Sequence, residues 1–127
     1  MAMIGVGIDI VDLDRAERIL TRHGDRAMQR FLLPAERTYV LSMAQPARHF
    51  AVRLAAKEAA YKALSRLRGA SAVSWRDIEV LRDRRGRPSV LLHGKADAVV
   101  SAVGPYRVFV SLTHTAKTAG AVVVIEV

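Results

Sequence analysis

One uninterrupted helical segment constrains this chain more than any other feature of its sequence. Residues 53–64 read RLAAKEAAYKAL, a run of strong helix formers with neither glycine nor proline. Because an α-helix has about 3.6 residues per turn, Glu58 and Lys62 lie one turn apart on one stripe, and Arg53 and Lys57 form a second such pair beside it. A carboxylate among three cations, on a helix covered mostly in alanine, leaves room for a divalent metal and a phosphate. An ordinary solvated ion pair explains the same pattern.

Length and composition narrow the class of protein. A chain of 127 residues is the size of one domain and can bury a core without disulfides, so we expect a single domain over residues 1–127. It has no cysteine, which excludes thiolate chemistry and fits a reducing cytoplasm. No membrane span or signal peptide is evident. The net charge of +8 indicates an anionic partner, which could be nucleic acid, a phosphorylated small molecule or an acidic protein.

The hydrophobic periodicity predicts nine elements in the order β-α-α-α-β-β-α-β-β. We expect strands at residues 3–11, 74–81, 89–93, 106–113 and 119–127, and helices at residues 13–22, 34–43, 48–67 and 95–103. Pro46 is expected to close the second helical unit. The last strand is apolar on both faces, which predicts a central position or packing against another subunit. This order indicates an α+β fold, with helices packed on a mostly antiparallel sheet.

Asp9 stands out because it lies in the middle of a strand that is otherwise apolar or glycine. Carboxylates are uncommon in strands and costly to bury alone. Gly5 and Gly7 lie on the same face and would let a ligand approach the backbone. An edge-strand aspartate that accepts hydrogen bonds from a helix N-terminus is an equally good explanation. Paired with Glu58, Asp9 would offer the one or two carboxylates that Mg²⁺ takes together with water and phosphate.

Two polar segments and one basic helix face are further candidates for binding. Residues 111–115 (SLTHT) end a strand with hydroxyls and an imidazole, and the hairpin tip at residues 84–88 (RRGRP) is strongly basic. Both suit a phosphate, and both are compatible with solvated surface turns. Arg15, Arg18 and Arg22 form a stripe of uniform charge on the first predicted helix. Because solvated faces usually mix charges, this stripe slightly favours a docking surface for an acidic partner.

Taken together and in this order, these segments resemble the bacterial holo-acyl-carrier-protein synthases, the small 4′-phosphopantetheinyl transferases. The resemblance covers essentially the whole chain. It is carried by GVGIDI at 5–10, RLAAKEA at 53–59, KAL at 62–64, WRDIEV at 75–80, GRP at 86–88 and VSLTHT at 110–115. It implies a 4′-phosphopantetheinyl transferase-like fold. The implied reaction moves phosphopantetheine from coenzyme A to a serine of an apo acyl carrier protein, releases adenosine 3′,5′-bisphosphate and serves fatty acid biosynthesis.

The resemblance also implies roles for individual residues. It assigns Asp9 and Glu58 to Mg²⁺ and gives Glu58 and Lys62 catalytic roles, although a metal-bound water could equally be the base. The residues that it places around coenzyme A are Arg53, Lys62, Gly86, Arg87, Pro88, Thr113, His114 and Thr115. It implies docking of an acidic carrier protein on Arg15, Arg18 and Arg22, and a cytoplasmic homotrimer with active sites between subunits. No membrane or nucleic-acid partner is expected.

The chain departs from the family pattern in two places, and two alternative functions are compatible with its sequence. Leu54 replaces the usual phenylalanine, and residues 65–69 (SRLRG) replace a Gly-x-Gly turn, so no role is assigned within that loop. The acceptor could instead be a carrier domain of a polyketide or other synthase. A basic nucleic-acid-binding module is less favoured, because aromatic residues make up only 6% of the chain and none interleaves with the basic residues.

Overall fold

The computed structural model describes residues 1–127 and has the expected α+β architecture. Its elements are β1 Met3–Asp12, α1 Leu13–His23, α2 Asp25–Phe31, α3 Pro34–Ser42, α4 Pro46–Leu64, β2 Ile78–Arg82, β3 Pro88–Leu92, α5 Gly94–Ser101, β4 Arg107–His114 and β5 Thr118–Glu126. Short 3₁₀ turns at Ala70–Ala72 and Trp75–Asp77 precede β2. None of the helices combines the length and the apolar character needed to cross a membrane.

The strands form two antiparallel sheets. One has the order β1-β5-β4, and the other is the β2-β3 hairpin. Strand β5 pairs on both edges, with Val124 opposite Val6 of β1 and Phe109 of β4. Its inward side chains Val123 and Ile125 are fully buried. The central position predicted for the last strand is therefore confirmed, and it explains why that strand is apolar on both faces.

Helix α4 packs directly on strand β1 because neither element carries a large side chain where they cross. A Cβ atom added to Gly7 would collide with the carbonyl oxygen of Ala59, and one added to Gly5 would collide with that of Ala63. The expectation that these glycines leave space for a ligand is therefore wrong, since the helix fills that space. The α4 alanines that are buried in the same way are Ala51, Ala55, Ala56, Ala59, Ala60 and Ala63.

This close approach makes Gly7 sensitive to any side chain. We expect Gly7→Ala to lower the free energy of unfolding by about 3 kcal/mol or more, because a methyl group would have to push two backbones apart. Urea unfolding monitored by the fluorescence of Trp75, the only tryptophan, would measure the loss. Gly120→Ala is the matched control: its Cβ would lie 3.2 Å from the Thr113 Cγ2 methyl, which is a side-chain atom. An equal effect in the two variants would contradict the helix–strand explanation.

Three of the local differences between the observed and the expected elements have a direct physical reason. Helix α2 was not expected, because seven residues are too few to show a helical period, and Gly24 turns the chain between α1 and α2 with a φ of 49°. Pro46 is the first residue of α4 instead of closing the preceding unit, which suits a residue without an amide hydrogen. Residues 74–77 form a 3₁₀ turn instead of the start of β2, because the Ser74 amide donates to the Asp77 carboxylate at 3.0 Å.

A fully buried ion pair joins α3, α4 and the start of β2. Lys57 Nζ donates to Glu36 Oε1 at 2.7 Å, to the Ile78 carbonyl at 2.6 Å and to the Trp75 carbonyl at 3.1 Å. The Glu36 carboxylate accepts two more hydrogen bonds from backbone amides, those of Leu33 and Val80. Both charges are therefore satisfied inside the core. Lys57 is a structural residue and is not one of the cations available to a bound anion.

Candidate active site

Asp9 and Glu58 meet where strand β1 crosses helix α4. Asp9 follows Gly5 and Gly7 on the face of β1 that packs on the helix, so its carboxylate is directed at the last turns of α4. Lys62 Nζ donates to Asp9 Oδ1 and to the Ile8 carbonyl, both at 3.0 Å. The Asp9 side chain is only 11% exposed. The solvated pair of Glu58 with Lys62 is therefore not what the structure shows, because Lys62 is bound to Asp9.

The surroundings of Glu58 disfavour its charged form. Burial raises the pKa of Glu58 to about 7, helped by a hydrogen bond with Asp9 and by the negative charge of Asp9. Arg15 and Lys62 act in the opposite direction. Arg15 Nη2 lies 3.7 Å from Glu58 Oε1, and the Glu58 side chain is 23% exposed. Two adjacent carboxylates of this kind favour a proton or a cation between them.

The donor set of this pair fits a small divalent cation. When Glu58 is charged and has no proton to donate, the buried Asp9 Oδ2 is without a hydrogen-bond partner, which leaves one carboxylate oxygen free for a cation. No third histidine, cysteine or acidic residue joins the pair. Mg²⁺ is commonly bound by one or two carboxylates, with water and substrate phosphates filling the other positions. Asp9 and Glu58 therefore suit Mg²⁺ better than a metal that needs a complete set of protein ligands.

The raised pKa of Glu58 predicts a stability that depends on pH. The native state disfavours the charged form of Glu58, and this lowers the free energy of unfolding at high pH. The loss is absent below the ordinary pKa of 4.5 and complete above about 7. In the presence of a chelator, Glu58→Gln should therefore stabilise the protein by about 1–2 kcal/mol at pH 8.5, after allowance for its partial exposure, and by almost nothing at pH 4.5. Thermal unfolding at the two pH values measures this. Equal melting temperatures of the variant and wild type at pH 8.5 would contradict the prediction.

A second group of candidate residues lines a cavity between the β2–β3 hairpin and the end of β4. Gly86, Pro88, Thr113 and His114 surround a space of about 350 Å³, and Arg82 lines it as well. Sequence reasoning missed Arg82 because it counted that residue in the turn. The structure places Arg82 in β2, opposite Pro88, where its side chain donates to the Gly86 carbonyl at 2.8 Å.

The other residues predicted for coenzyme A do not line this cavity. Arg53 is 2% exposed, lies with its guanidinium carbon 4.4 Å from the Tyr39 ring centroid, and lines an adjoining cavity of about 330 Å³ with Arg82. Arg87 donates to Asp83 at 3.0 Å within the hairpin. The Thr115 hydroxyl is 2.7 Å from that of Thr118 in the β4–β5 turn. The side chains of Arg87 and Thr115 therefore form hydrogen bonds within their own turns.

Several basic groups of this region lie close to His49, although Glu36, Glu79 and Asp83 also line the cavity that contains Arg53. Burial lowers the pKa of His49, and so do nearby positive charges. The groups that supply those charges are Arg53, Arg82, Arg48 and His114. The His49 imidazole is therefore uncharged at neutral pH, although it is surrounded by cations. The positive charge around His49 suits an anionic ligand.

The structure thus brings the candidate residues together in two places within one chain. Asp9, Glu58 and Lys62 form one cluster with Arg15 at its edge, and none of these residues lines either of the two cavities near the hairpin. The other two arginines of the basic stripe, Arg18 and Arg22, are exposed on α1.

Comparison with known proteins assigns this arrangement to a family. The model of the 4′-phosphopantetheinyl transferase superfamily matches residues 5–111. A holo-[acyl-carrier-protein] synthase of Koribacter versatilis is 43% identical over 98% of both chains. The crystal structure of a holo-[acyl-carrier-protein] synthase from Neisseria meningitidis superposes with a TM-score of 0.88 at 33% identity, covering 99% of this chain and 100% of that one.

The chain belongs to the 4′-phosphopantetheinyl transferase superfamily. It is therefore an enzyme, and the resemblance stated from its motifs is confirmed. Within the superfamily, its similarity is to holo-[acyl-carrier-protein] synthases. One from Bacillus anthracis, solved in complex with CoA (3′,5′-ADP), superposes with a TM-score of 0.77 at 32% identity, covering 98% of this chain and 96% of that one.

Proposed function

We propose that this protein transfers 4′-phosphopantetheine from coenzyme A to a serine of an apo acyl carrier protein, with Mg²⁺ bound by Asp9 and Glu58. The observation that carries the proposal is the convergence of these two carboxylates beside Lys62. The similarity to holo-[acyl-carrier-protein] synthases over nearly the full chain supports it. The released product would be adenosine 3′,5′-bisphosphate.

The reaction needs a proton acceptor and a positive charge from the chain. The serine oxygen of the carrier attacks the phosphorus that bears pantetheine, and the bond between that phosphorus and the bridging pyrophosphate oxygen breaks. Glu58 accepts the serine proton, directly or through a water, because a carboxylate at the reacting centre can act as a general base. Lys62, whose side chain is 55% exposed, offsets the charge that develops on the leaving phosphate.

Phosphoryl transfer depends on positioning and charge stabilisation more than on covalent help. When bound, Mg²⁺ supplies Lewis-acid activation and a template for the pyrophosphate. Asp9 is suited to holding it because its free Oδ2 oxygen is buried and Lys62 fixes its other oxygen. At the nucleotide end, Arg82 and His114 line the cavity that would take the phosphorylated ribose.

The separation of the two clusters within one chain supports a homotrimeric enzyme with each active site shared between two copies. The outer face of the three-stranded sheet is unusually apolar for an exposed surface. Val6, Ile8 and Ile10 are 58%, 65% and 68% exposed, and Phe109 is 48% exposed. An exposed apolar face of this kind marks a protein interface. Its burial against other copies would bring the nucleotide cavity of one subunit to the carboxylates of the next.

This assembly makes a prediction for the exposed sheet face. Ile8→Asp should convert the trimer to monomer, because three carboxylates would be buried without partners at the interface. Light scattering coupled to size exclusion measures the mass. Activity at sub-micromolar enzyme should fall with the loss of the trimer. The exposed Leu41→Asp, on α3 and away from the sheet, is the control and should stay trimeric. A trimeric Ile8→Asp variant would contradict this interface.

The decisive experiment is incubation of the enzyme with coenzyme A, Mg²⁺ and an apo acyl carrier protein, followed by intact mass of the acceptor. We expect the mass to rise by one phosphopantetheine and the gain to disappear with a chelator. Discrete carrier proteins and excised synthase carrier domains should be compared, since the chemistry is the same for both. We place the reaction in the cytoplasm and in fatty acid biosynthesis. No gain on any acceptor would contradict the proposal.

A further inference from the structure

The two cations beside the carboxylate pair are held in different ways. Lys62 donates two hydrogen bonds of 3.0 Å, to Asp9 and to the Ile8 carbonyl. Arg15 lies 3.7 Å from Glu58 Oε1, which is beyond hydrogen-bonding distance, and its side chain is 50% exposed. The second contact is therefore an ion pair without a hydrogen bond, and exposed pairs of this kind are weak. Of the two cations, Arg15 is the one that another partner can remove.

Arg15 also belongs to a surface that faces away from the site. With Arg18 and Arg22 it forms the basic stripe of α1, and all three residues are exposed. Helix α1 follows β1 directly and packs against α4, so its first turn adjoins the carboxylates while its later turns extend outward. The Arg15 side chain therefore lies within reach of Glu58 and also of an acidic protein bound to the stripe.

We propose that Arg15 couples carrier docking to metal binding by exchanging partners. On docking, Arg15 releases Glu58 and pairs with an acidic side chain of the carrier. This inference depends on the proposed function, since it takes the carrier to be acidic and the metal to bind at Asp9 and Glu58. While Arg15 pairs with Glu58, it competes with the metal for that carboxylate. When the carrier takes Arg15, Glu58 becomes free for the metal. Linkage then requires the metal to strengthen carrier binding by the same factor.

The expected size of the coupling follows from the geometry. An exposed pair at this distance changes the affinity of a competing cation by about two- to fivefold. A carboxylate that forms a hydrogen-bonded pair with the guanidinium is a better partner than Glu58 is in the free protein. Arg15 is thus a positioning residue that acts through Glu58, in addition to its place in the docking stripe.

The test is a titration with Mn²⁺ as the probe, followed by the electron paramagnetic resonance signal of the free ion, with saturating coenzyme A. Arg15→Gln should bind Mn²⁺ about two- to fivefold more tightly than wild type. Arg18→Gln removes the same charge from the same stripe without touching Glu58, and should leave Mn²⁺ affinity unchanged. A carrier protein whose acceptor serine is alanine should tighten Mn²⁺ binding to wild type by a similar factor, and should have no such effect on Arg15→Gln.

The outcomes separate this inference from the function on which it depends. Equal Mn²⁺ affinities of wild type and Arg15→Gln would overturn the inference and leave the transferase intact. An equal gain of Mn²⁺ affinity in Arg18→Gln would also overturn the inference, because the effect would then come from the general removal of positive charge. Loss of Mn²⁺ binding in Glu58→Gln supports the metal site itself. If Mn²⁺ does not bind wild type at all, the metal site and the inference both fail.

Discussion

Replacing Asp9 by asparagine, or Glu58 by glutamine, is expected to lower the rate of phosphopantetheine transfer about a thousandfold or more. Each substitution keeps the shape of the side chain and removes one of the two negative charges that would hold Mg²⁺. Glu58→Gln also removes the group proposed to take the serine proton. The rate would be measured by the intact mass of the carrier over time, at saturating coenzyme A and Mg²⁺.

A matched control shows whether the loss belongs to this pair of carboxylates. Asp97→Asn removes a carboxylate that accepts hydrogen bonds from Tyr106 and Ser101 at the surface, away from the candidate site. Its transfer rate should remain close to that of wild type. Circular dichroism should show that the Asp9 and Glu58 variants are folded. Wild-type rates in both of those variants would remove the basis of the catalytic assignment.

The second large effect concerns stability. We expect Lys57→Met to lower the free energy of unfolding by about 3–5 kcal/mol, because it leaves the buried Glu36 carboxylate without its positive partner. Since a typical domain has a free energy of unfolding of only about 5–15 kcal/mol, the variant would retain little stability at 37 °C. Urea unfolding of the variant and the wild type would measure the difference.

The double variant tests the cause of that loss. Glu36→Gln combined with Lys57→Met removes the unpaired charge and still offers one acceptor oxygen to the backbone amides of Leu33 and Val80, which donate to separate oxygens of the carboxylate. It should therefore be more stable than Lys57→Met alone. If the double variant is less stable than the single one, the loss comes from packing around residue 57 instead of from an uncompensated charge.

The sequence predicted the α+β class, and the motif resemblance predicted the family, both of which are confirmed. It could not separate the two lysines of α4. Lys57 and Lys62 lie in the same helix and in similar sequence surroundings. Only the tertiary structure determines that Lys57 pairs with Glu36 in the core and that Lys62 pairs with Asp9 near the surface. The surroundings of Lys57 come from α3 and from the segment that leads into β2, and those of Lys62 come from β1, all of them distant in sequence. Local patterns contain no information of that kind.

The same limit explains the glycines of β1 and the residues that line the hairpin cavity. Gly5 and Gly7 indicate that something approaches the strand closely, and the pattern is the same whether that is a ligand or a helix. Arg87 and Arg82 are both basic residues near the hairpin tip. Which of them lines the cavity depends on a hydrogen bond between Arg87 and Asp83, and on a strand that extends one residue further than expected.

The backbone contact between β1 and α4 has a consequence for ion selectivity. No side chain lies between Gly7 and Ala59 that could change its rotamer, so the two backbones that carry Asp9 and Glu58 are held at a short and fixed distance. Ca²⁺ binds oxygens at about 2.3–2.6 Å and takes six to eight of them, whereas Mg²⁺ binds at about 2.0–2.1 Å. Two carboxylates on backbones that cannot move apart supply few protein oxygens, so the proposed metal site should favour the smaller ion.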